Sequence, residues 1–295
     1  MLDSEIKQQV REFYDQVGWQ GAGAGQYQNA RYEDLRPVAR EYIHRCHLRV
    51  ARHLVLAGKY LLDAGSGPVQ YPEYLEYSRG YQARVCADIS SVALQEARQR
   101  IGDRGSGGHG LFVVADVANL PFPREAFDGV VSLHTIHHLP QGEHIQAYKE
   151  LYRVLGVGRS AVVVNGWDNP LLMRLFVTPV RWRKQAFAAA RCLLGRDAPA
   201  GKPRKARIDP DSAEPKGTFV SKNNAARLKR EIGTEIPLEI LVWRSVSVRF
   251  LRAFVHPRLG GRGFLRLLFW LEERFPHFFG ENGQYPLIVI RKERL

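Results

Sequence analysis

Residues able to do chemistry recur at the ends of apolar runs in the first half of this chain. Asp63-Ala64-Gly65-Ser66-Gly67-Pro68 follows the apolar Tyr60–Leu62, while Asp88-Ile89-Ser90 and Asp116-Val117 close two further runs. A fourth run, Phe127–Leu133, opens into His134-Thr135-Ile136-His137-His138. Glycines in a turn let backbone amides approach a ligand with no Cβ in the way. An acid about 20 residues past such a turn stands where a carboxylate accepts both hydroxyls of a ribose. Asp88 has that spacing, with Ile89 beside it. Asp116 can accept from an adenine amino group while Val117 offers its backbone amide. Neutral imidazoles at the fourth run can take a proton at physiological pH, and His134 stands nearest the strand end. The bland alternatives are a surface-turn role for Asp88, a capping role for Asp116, and packing or helix-start roles for the histidines.

Asp63 narrows the ligand class. An acid before the first glycine repels a pyrophosphate but accepts hydrogen bonds from a cationic, amino-acid-bearing ligand. That favours S-adenosylmethionine over a nicotinamide dinucleotide, and Gln70 stands where a dinucleotide loop would place its last small residue. Methyl transfer from a sulfonium is an in-line displacement in which proximity and a dry pocket supply most of the rate. A base, for which His134 and His137 are the candidates, is needed only where the nucleophile arrives protonated. A metal site built on these histidines with His144 or Glu143 is disfavoured by the interrupted spacing.

These residues require a sheet to present them. The alternation of apolar runs with helical stretches from Tyr60 predicts a βαβ series and a mainly parallel sheet. Strands are predicted at Tyr60–Leu62, Ala83–Ala87, Leu111–Ala115, Phe127–Leu133 and Ala161–Val164, with a closing strand at Tyr285–Ile290. Open parallel sheets bind ligands outside the carboxyl ends of their strands, where the strand order reverses, and the candidate residues fall at such ends. Upstream, Ile6, Val10, Phe13 and Val17 share one helical face, and a long helical pattern runs from Asn29 to Leu56. Tyr14 and Trp19 belong to this preface, and a hydrophobic staple of the helix to the core is one role for them. Downstream, Leu238–Phe250 reads as one segment and Gly263–Arg274 as an amphipathic helix.

The charge is uneven. Of a formal +13, the stretch from Pro170 to Arg230 carries +11, with 15 Lys/Arg against four acids. This basic segment includes Arg181 and Trp182 and reads in three ways: a lid over the acceptor, a contact with anionic membrane, or an RNA-binding surface. The 45% hydrophobic content suits a packed core. No apolar run approaches the roughly 20 residues that span a bilayer. The three scattered cysteines imply no disulfide framework, and the N-terminal residues lack a signal peptide's blocks, so a cytoplasmic protein is expected.

Taken together, Leu61–Pro68, Val85–Ser90, Ala115–Val117 and Phe127–Pro140, followed by Glu150–Leu155, resemble class I S-adenosylmethionine-dependent methyltransferases, in particular the subgroup of ubiquinone and menaquinone biosynthesis enzymes. The resemblance implies that Gly65, Ser66 and Gly67 contact the methionine portion and Asp63 orients it. It further implies that Asp88 with Ile89 holds the ribose, that Asp116 and Val117 hold the adenine, and that Leu133 lies beside the cofactor. Where the family loop has its third glycine this chain has Val69, which would narrow the methionine pocket.

The expected architecture is a doubly wound α/β fold, Rossmann-like, with helices on both faces. A helical cover spans 1–58, the cofactor-binding core 59–169, a basic insertion 170–232, and the C-terminal completion 233–295. The expected acceptor is a small apolar or aromatic molecule, bound by Tyr14, Trp19, His138, Arg181 and Trp182 and methylated on oxygen or carbon. An RNA methyltransferase is the alternative within enzymes, weakened by Ser132-Leu133-His134-Thr135 where an exocyclic-amine motif would stand. A non-catalytic cofactor-binding protein is the alternative outside them.

Overall fold

A computed structural model describes residues 3–19, 21–23, 26–27, 33–102, 109–176 and 218–293. Runs such as Ala161-Val162-Val163-Val164 and Leu287-Ile288-Val289-Ile290 are apolar on consecutive residues, the pattern of strands buried on both faces. They are neighbouring interior strands of a seven-stranded sheet. Its members are β3 (Gly58–Ala64), β4 (Tyr81–Asp88), β5 (His109–Val114), β6 (Phe127–Leu133), β7 (Leu155–Val164), β8 (Leu238–Arg244) and β9 (Tyr285–Lys292). A separate two-stranded pair, β1 (Gly21–Gly23) and β2 (Gln26–Tyr27), precedes them.

The strand order is β5-β4-β3-β6-β7-β9-β8. β3 to β7 are parallel, and β9 enters antiparallel between β7 and β8. The order reverses at β3, which pairs with β4 on one side and β6 on the other, opening a crevice above its carboxyl end.

Both faces are covered, as expected. Leu62, Val130, Val163 and Ile288 pack with α5 (His144–Val154) and α6 (Ala225–Glu231). The alternate residues Leu61, Val131, Val162 and Leu287 pack with Val50, Leu54, Tyr74 of α3 (Pro72–Leu75) and Leu94 of α4 (Ser91–Gly102). A third cluster joins α2 (Arg40–Leu48) to α7 (Val248–Phe254) and α8 (Gly261–Arg274).

Three element predictions change. The helix expected over Asn29–Leu56 is α only at Arg40–Leu48, with a 3-10 turn at Val50–His53. Pro37 disfavours helix in the residue before it, which delays the start. Leu238–Phe250 divides into β8 and α7, where Ser247 caps α7 by accepting from Phe250 N. The N-terminal helix is α1 at Asp3–Phe13 and continues as a π turn through Gly18, and a short α9 (Pro276–Asn282) follows α8. The basic insertion is described only to residue 176 and from residue 218, so Arg181 and Trp182 lie outside the described residues. Among the described residues no helix is long and apolar enough to cross a membrane.

The end of β8 is fixed by one buried carboxylate. Glu272 of α8 is fully buried and accepts from Tyr42 Oη at 2.6 Å, Arg49 Nη1 at 2.9 Å, Ser245 N at 2.9 Å and Ser245 Oγ at 2.5 Å. Arg49 also donates to the Trp243 carbonyl at 2.8 Å. Removing Glu272 leaves Arg49 with Glu273 alone, 2.8 Å from its Nε, and strands the Tyr42 and Ser245 donors, so the loss falls at the low end of the about 3–5 kcal/mol that a broken buried pair costs. Glu272→Ala is therefore expected to lower stability by about 3 kcal/mol, and Tyr42→Phe by about 1 kcal/mol. Urea unfolding monitored by circular dichroism checks both; equal losses for the two would contradict this account.

Candidate active site

The turn after β3 is built from glycines because its backbone is left-handed and crowded. Gly65 and Gly67 have φ of 73° and 53°, and a Cβ on Gly65 would collide with Thr135. Gly65 N and Ser66 N both donate to the Ala87 carbonyl, at 2.7 and 3.2 Å. Gly67 N donates to Asp88 Oδ2 at 2.8 Å, and Ser90 N to Oδ1 at 2.9 Å. Thr135 Oγ1 reaches the Gly65 and Leu133 carbonyls, each at 3.1 Å, and so joins the β3 and β6 turns.

Two expectations at this turn are corrected. Asp63 does not face the ligand space: it is buried and paired with Arg84, whose Nε lies 3.1 Å from Oδ2 and whose Nη2 makes a second, shorter contact. Its role in this structure is to hold β3 against β4. Val69 does not narrow the pocket either, because it turns into the core beside Leu61 and Leu94. It does so with a φ of 53°, a strained conformation for a β-branched residue.

Above the turn lies a cavity of about 440 Å³. Gly65, Ser66, Gly67, Asp88, Ile89, Asp116, Val117, Leu133, His134, His137 and His138 all line it, together with Tyr14 and Trp19. Apart from Asp63, the structure therefore brings together every described residue expected at the site. α1 closes one side. Lys7 binds Asp116 at 2.5 Å and Glu143 at 2.6 Å, and Asp15 accepts from Ser90 Oγ at 2.5 Å. Tyr14 stacks on Trp19 with centroids 5.0 Å apart, and its hydroxyl lies 2.8 Å from His138 Nε2.

The His138 tautomer follows from its partners. Nδ1 is 2.8 Å from the Phe219 carbonyl, which only accepts, so Nδ1 carries the proton and Nε2 accepts from Tyr14. His137 Nδ1 lies 3.2 Å from Asn165 Oδ1. His134 has no side-chain hydrogen bond among the described residues; its ring meets Trp243 and Tyr285 edge-on at 5.1 and 5.7 Å. Burial pushes all three pKa values down, to about 3 for His134 and about 4 for His138, and well below the usual range for His137. For His134, nearby Arg244 adds to the depression. All three are neutral near pH 7. His134 also sits at φ 57°, a strained backbone of the kind found at functional sites.

Other lining residues went unnoticed in the sequence. Glu33, Gln70, Tyr71, Tyr74, Lys222, Arg244 and Tyr285 complete the far end of the cavity. Glu33 and Arg244 form a buried ion pair. Burial alone would raise the Glu33 pKa, but Arg244 and His47 outweigh it and hold the carboxyl ionised. The available signals were Arg244 at the end of an apolar strand and aromatic residues just past the glycine turn. Among the described residues no group of three or more His, Cys, Asp or Glu is placed to hold a metal ion.

A seven-stranded sheet in this order, with a glycine turn and an acid at adjoining strand ends, defines the class I methyltransferase fold. A methyltransferase-domain model matches residues 62–162. The ubiquinone/menaquinone biosynthesis C-methyltransferase of Ectopseudomonas oleovorans is 31% identical over 132 residues, 44% of this chain and 76% of that relative. That of Ectopseudomonas mendocina is 30% identical over 154 residues, 50% and 59% of the two chains. Among solved structures, geranyl diphosphate methyltransferase in complex with GPP and sinefungin superposes with a TM-score of 0.54 at 15% identity, covering 97% of this chain and 98% of that one. The [4+2]-cyclase SpnF gives 0.52 at 19%, covering 97% of each. The chain belongs to the class I S-adenosylmethionine-dependent methyltransferases and is similar to their ubiquinone/menaquinone C-methyltransferase branch. It spans 54–59% of the length of the first curated relatives it matches. S-adenosylmethionine is the cofactor of this class, and the residues present fit it: a cradle that a Cβ would fill, and a half-buried acid one strand away.

Burial raises the Asp88 pKa to about 6, against the opposing Ser90 and Gly67 amides. Only the carboxylate accepts two hydroxyl donors. S-adenosylhomocysteine affinity is therefore expected to rise with pH through about 6 and level off above it, whereas Asp88→Asn binds at least tenfold more weakly with no such rise. The same raised pKa makes the ionised folded form costly, so this group favours folding more as pH falls through 6. Calorimetric titration across pH 5 to 8 checks the binding profile.

Proposed function

We propose that this protein transfers a methyl group from S-adenosylmethionine to a small, partly aromatic or apolar acceptor, on oxygen or carbon. The observation that carries the reading is one cavity in which the Gly65–Gly67 turn and Asp88 face three neutral histidines. Its volume of about 440 Å³ suits a bound small molecule.

When bound, the cofactor supplies an electrophilic methyl group on a positively charged sulfur. Gly65, Ser66 and Gly67 would hold its methionine portion, Asp88 its ribose, and Asp116 with Val117 its adenine. Lys7 positions Asp116 and is itself placed by α1. The aromatic walls Tyr14, Trp19, Tyr71, Tyr74 and Tyr285 exclude water and suit a flat or apolar acceptor.

His134 acts on the acceptor. A group with so depressed a pKa takes no proton from a resting hydroxyl, because the gap in proton affinity is too wide. It accepts a hydrogen bond from that hydroxyl, orients it, and receives the proton as the acceptor becomes acidic during methylation. His137 has its Nδ1 engaged by Asn165, which leaves Nε2 for the same duty, while His138 is occupied by Tyr14 and Phe219 and serves to seat the cover.

The relatives' printed names concern quinone C-methylation, which supports a small-molecule acceptor over RNA. His134→Ala is expected to lower kcat by about 10²–10⁴-fold on the acceptor while leaving S-adenosylhomocysteine affinity within twofold. Single-turnover assays beside calorimetry separate the two quantities. A wild-type chain that fails to bind S-adenosylmethionine would remove the enzyme reading altogether.

A further inference from the structure

The end of the cavity farthest from the adenine site has an excess of positive charge. Arg244 lines it while only 2% exposed, and its Nη1 is committed to Glu33. Its Nε is buried and has no hydrogen-bond partner, and Gln70 Nε2, also in the lining, is orphaned in the same way. Orphaned buried donors are costly, and with Thr218 Oγ1 there are three in this lining, so recognition capacity is left unused.

Lys222 supplies a second cation. It lines the same cavity and forms no ion pair among the described residues. A methyl group placed on Gly166 would lie 3.6 Å from both Lys222 Cε and the Tyr285 ring, and 3.7 Å from Lys222 Nζ, so the ammonium hangs beside Tyr285. The Arg244 guanidinium lies 4.7 Å from the centroid of that same ring. Arg244, Tyr285 and Lys222 thus form one continuous wall, with Glu33 as the single carboxylate among the described lining groups at that end. Two cations against one anion leave one positive charge unmatched at this end of the cavity, carried by Lys222, whose side chain is exposed.

The wall also belongs to the acceptor half of the sheet. Arg244 ends β8 and Tyr285 begins β9, whereas the glycine turn and Asp88 belong to β3 and β4. Gly166 follows β7. An oxygen anion seated between Arg244 and Lys222 would lie on the side of the cavity where His134 meets Trp243 and Tyr285.

We propose that Arg244, Lys222 and Gln70 form a carboxylate-recognition subsite, so that the methyl acceptor is an organic acid with an apolar or aromatic body. The proposal rests on the methyltransferase reading above. Arg244 uses the free edge of its guanidinium, which suits a planar carboxylate. Lys222 closes over the second oxygen, and Gln70 donates to whichever oxygen Arg244 leaves unfilled.

The test uses the full chain saturated with S-adenosylhomocysteine and titrated with matched pairs: salicylate against salicylamide, and octanoate against octanamide. At least one acid is expected to bind tenfold or more tighter than its amide. Lys222→Gln, a change at an exposed side chain, is expected to weaken that acid at least fivefold and leave the amide and S-adenosylhomocysteine unchanged. Arg244→Lys should weaken it further, with thermal unfolding confirming that the variant is folded. If no acid outbinds its amide, the proposal is overturned. If Lys222→Gln weakens S-adenosylhomocysteine and spares the acids, these cations hold the cofactor's own carboxylate and the proposal is again overturned. Failure of the wild type to take up S-adenosylhomocysteine is a different result, since it removes the underlying cofactor reading first.

Discussion

The ligand crevice depends on the buried ion pair between Asp63 and Arg84. Taking a carboxylate and a guanidinium out of water costs several kcal/mol per ion, so such a pair persists only where its geometry and its other hydrogen bonds are satisfied. Arg84 meets that demand by also donating to the Tyr74 carbonyl. One side chain thereby ties β3, β4 and α3 together. The glycine turn leaves β3 directly after Ala64, and its first two amides go straight to Ala87 on β4. With both strands locked at this height, Gly67 falls within reach of Asp88 and the floor of the cavity is set.

The rest of the site divides electrostatically. On one side Lys7 sits between Asp116 and Glu143, and half-buried Asp88 accepts from two backbone amides. On the other, Glu33 and Arg244 neutralise each other beneath histidines that burial keeps uncharged. Acids and neutral imidazoles thus line one cavity. The cost of this arrangement is visible in the backbone, where His134 and Val69 both hold left-handed conformations. Strain of that kind is retained only where surrounding contacts over-determine it. For His134 these are Trp243 and Tyr285, and for Val69 the packing against Leu61 and Leu94.

The cofactor half was legible in the sequence and the acceptor half was not, for a physical reason. Asp88, Asp116 and His134 each follow an apolar run directly, so local order along the chain fixes their place at the carboxyl edge of the sheet. Glu33, Lys222, Arg244 and Tyr285 come from four segments far apart in the chain, two of them the ends of β8 and β9, where β9 enters antiparallel between β7 and β8. No local pattern announces that meeting. Asp63 was misplaced because its partner lies 21 residues away on a neighbouring strand. An arginine inside the apolar run Ala83–Ala87 was the sign that some buried acid had to answer it. The long N-terminal helix was over-extended because apolar periodicity ran through Pro37 without registering the proline's steric limit.

Fold likeness leaves the chemistry open, since the same architecture appears in a geranyl diphosphate methyltransferase and in a [4+2]-cyclase. What distinguishes one such protein from another must lie where the walls come from outside the parallel core. In this chain those walls are the N-terminal cover and the β8–β9 pair. The cover is held at two points of the cavity: Lys7 on Asp116, and Tyr14 on His138. The two contacts lie on one continuous helical segment, from α1 into its π turn. The Asp116 end and the aromatic end of the cavity therefore share a single stretch of chain as their cover.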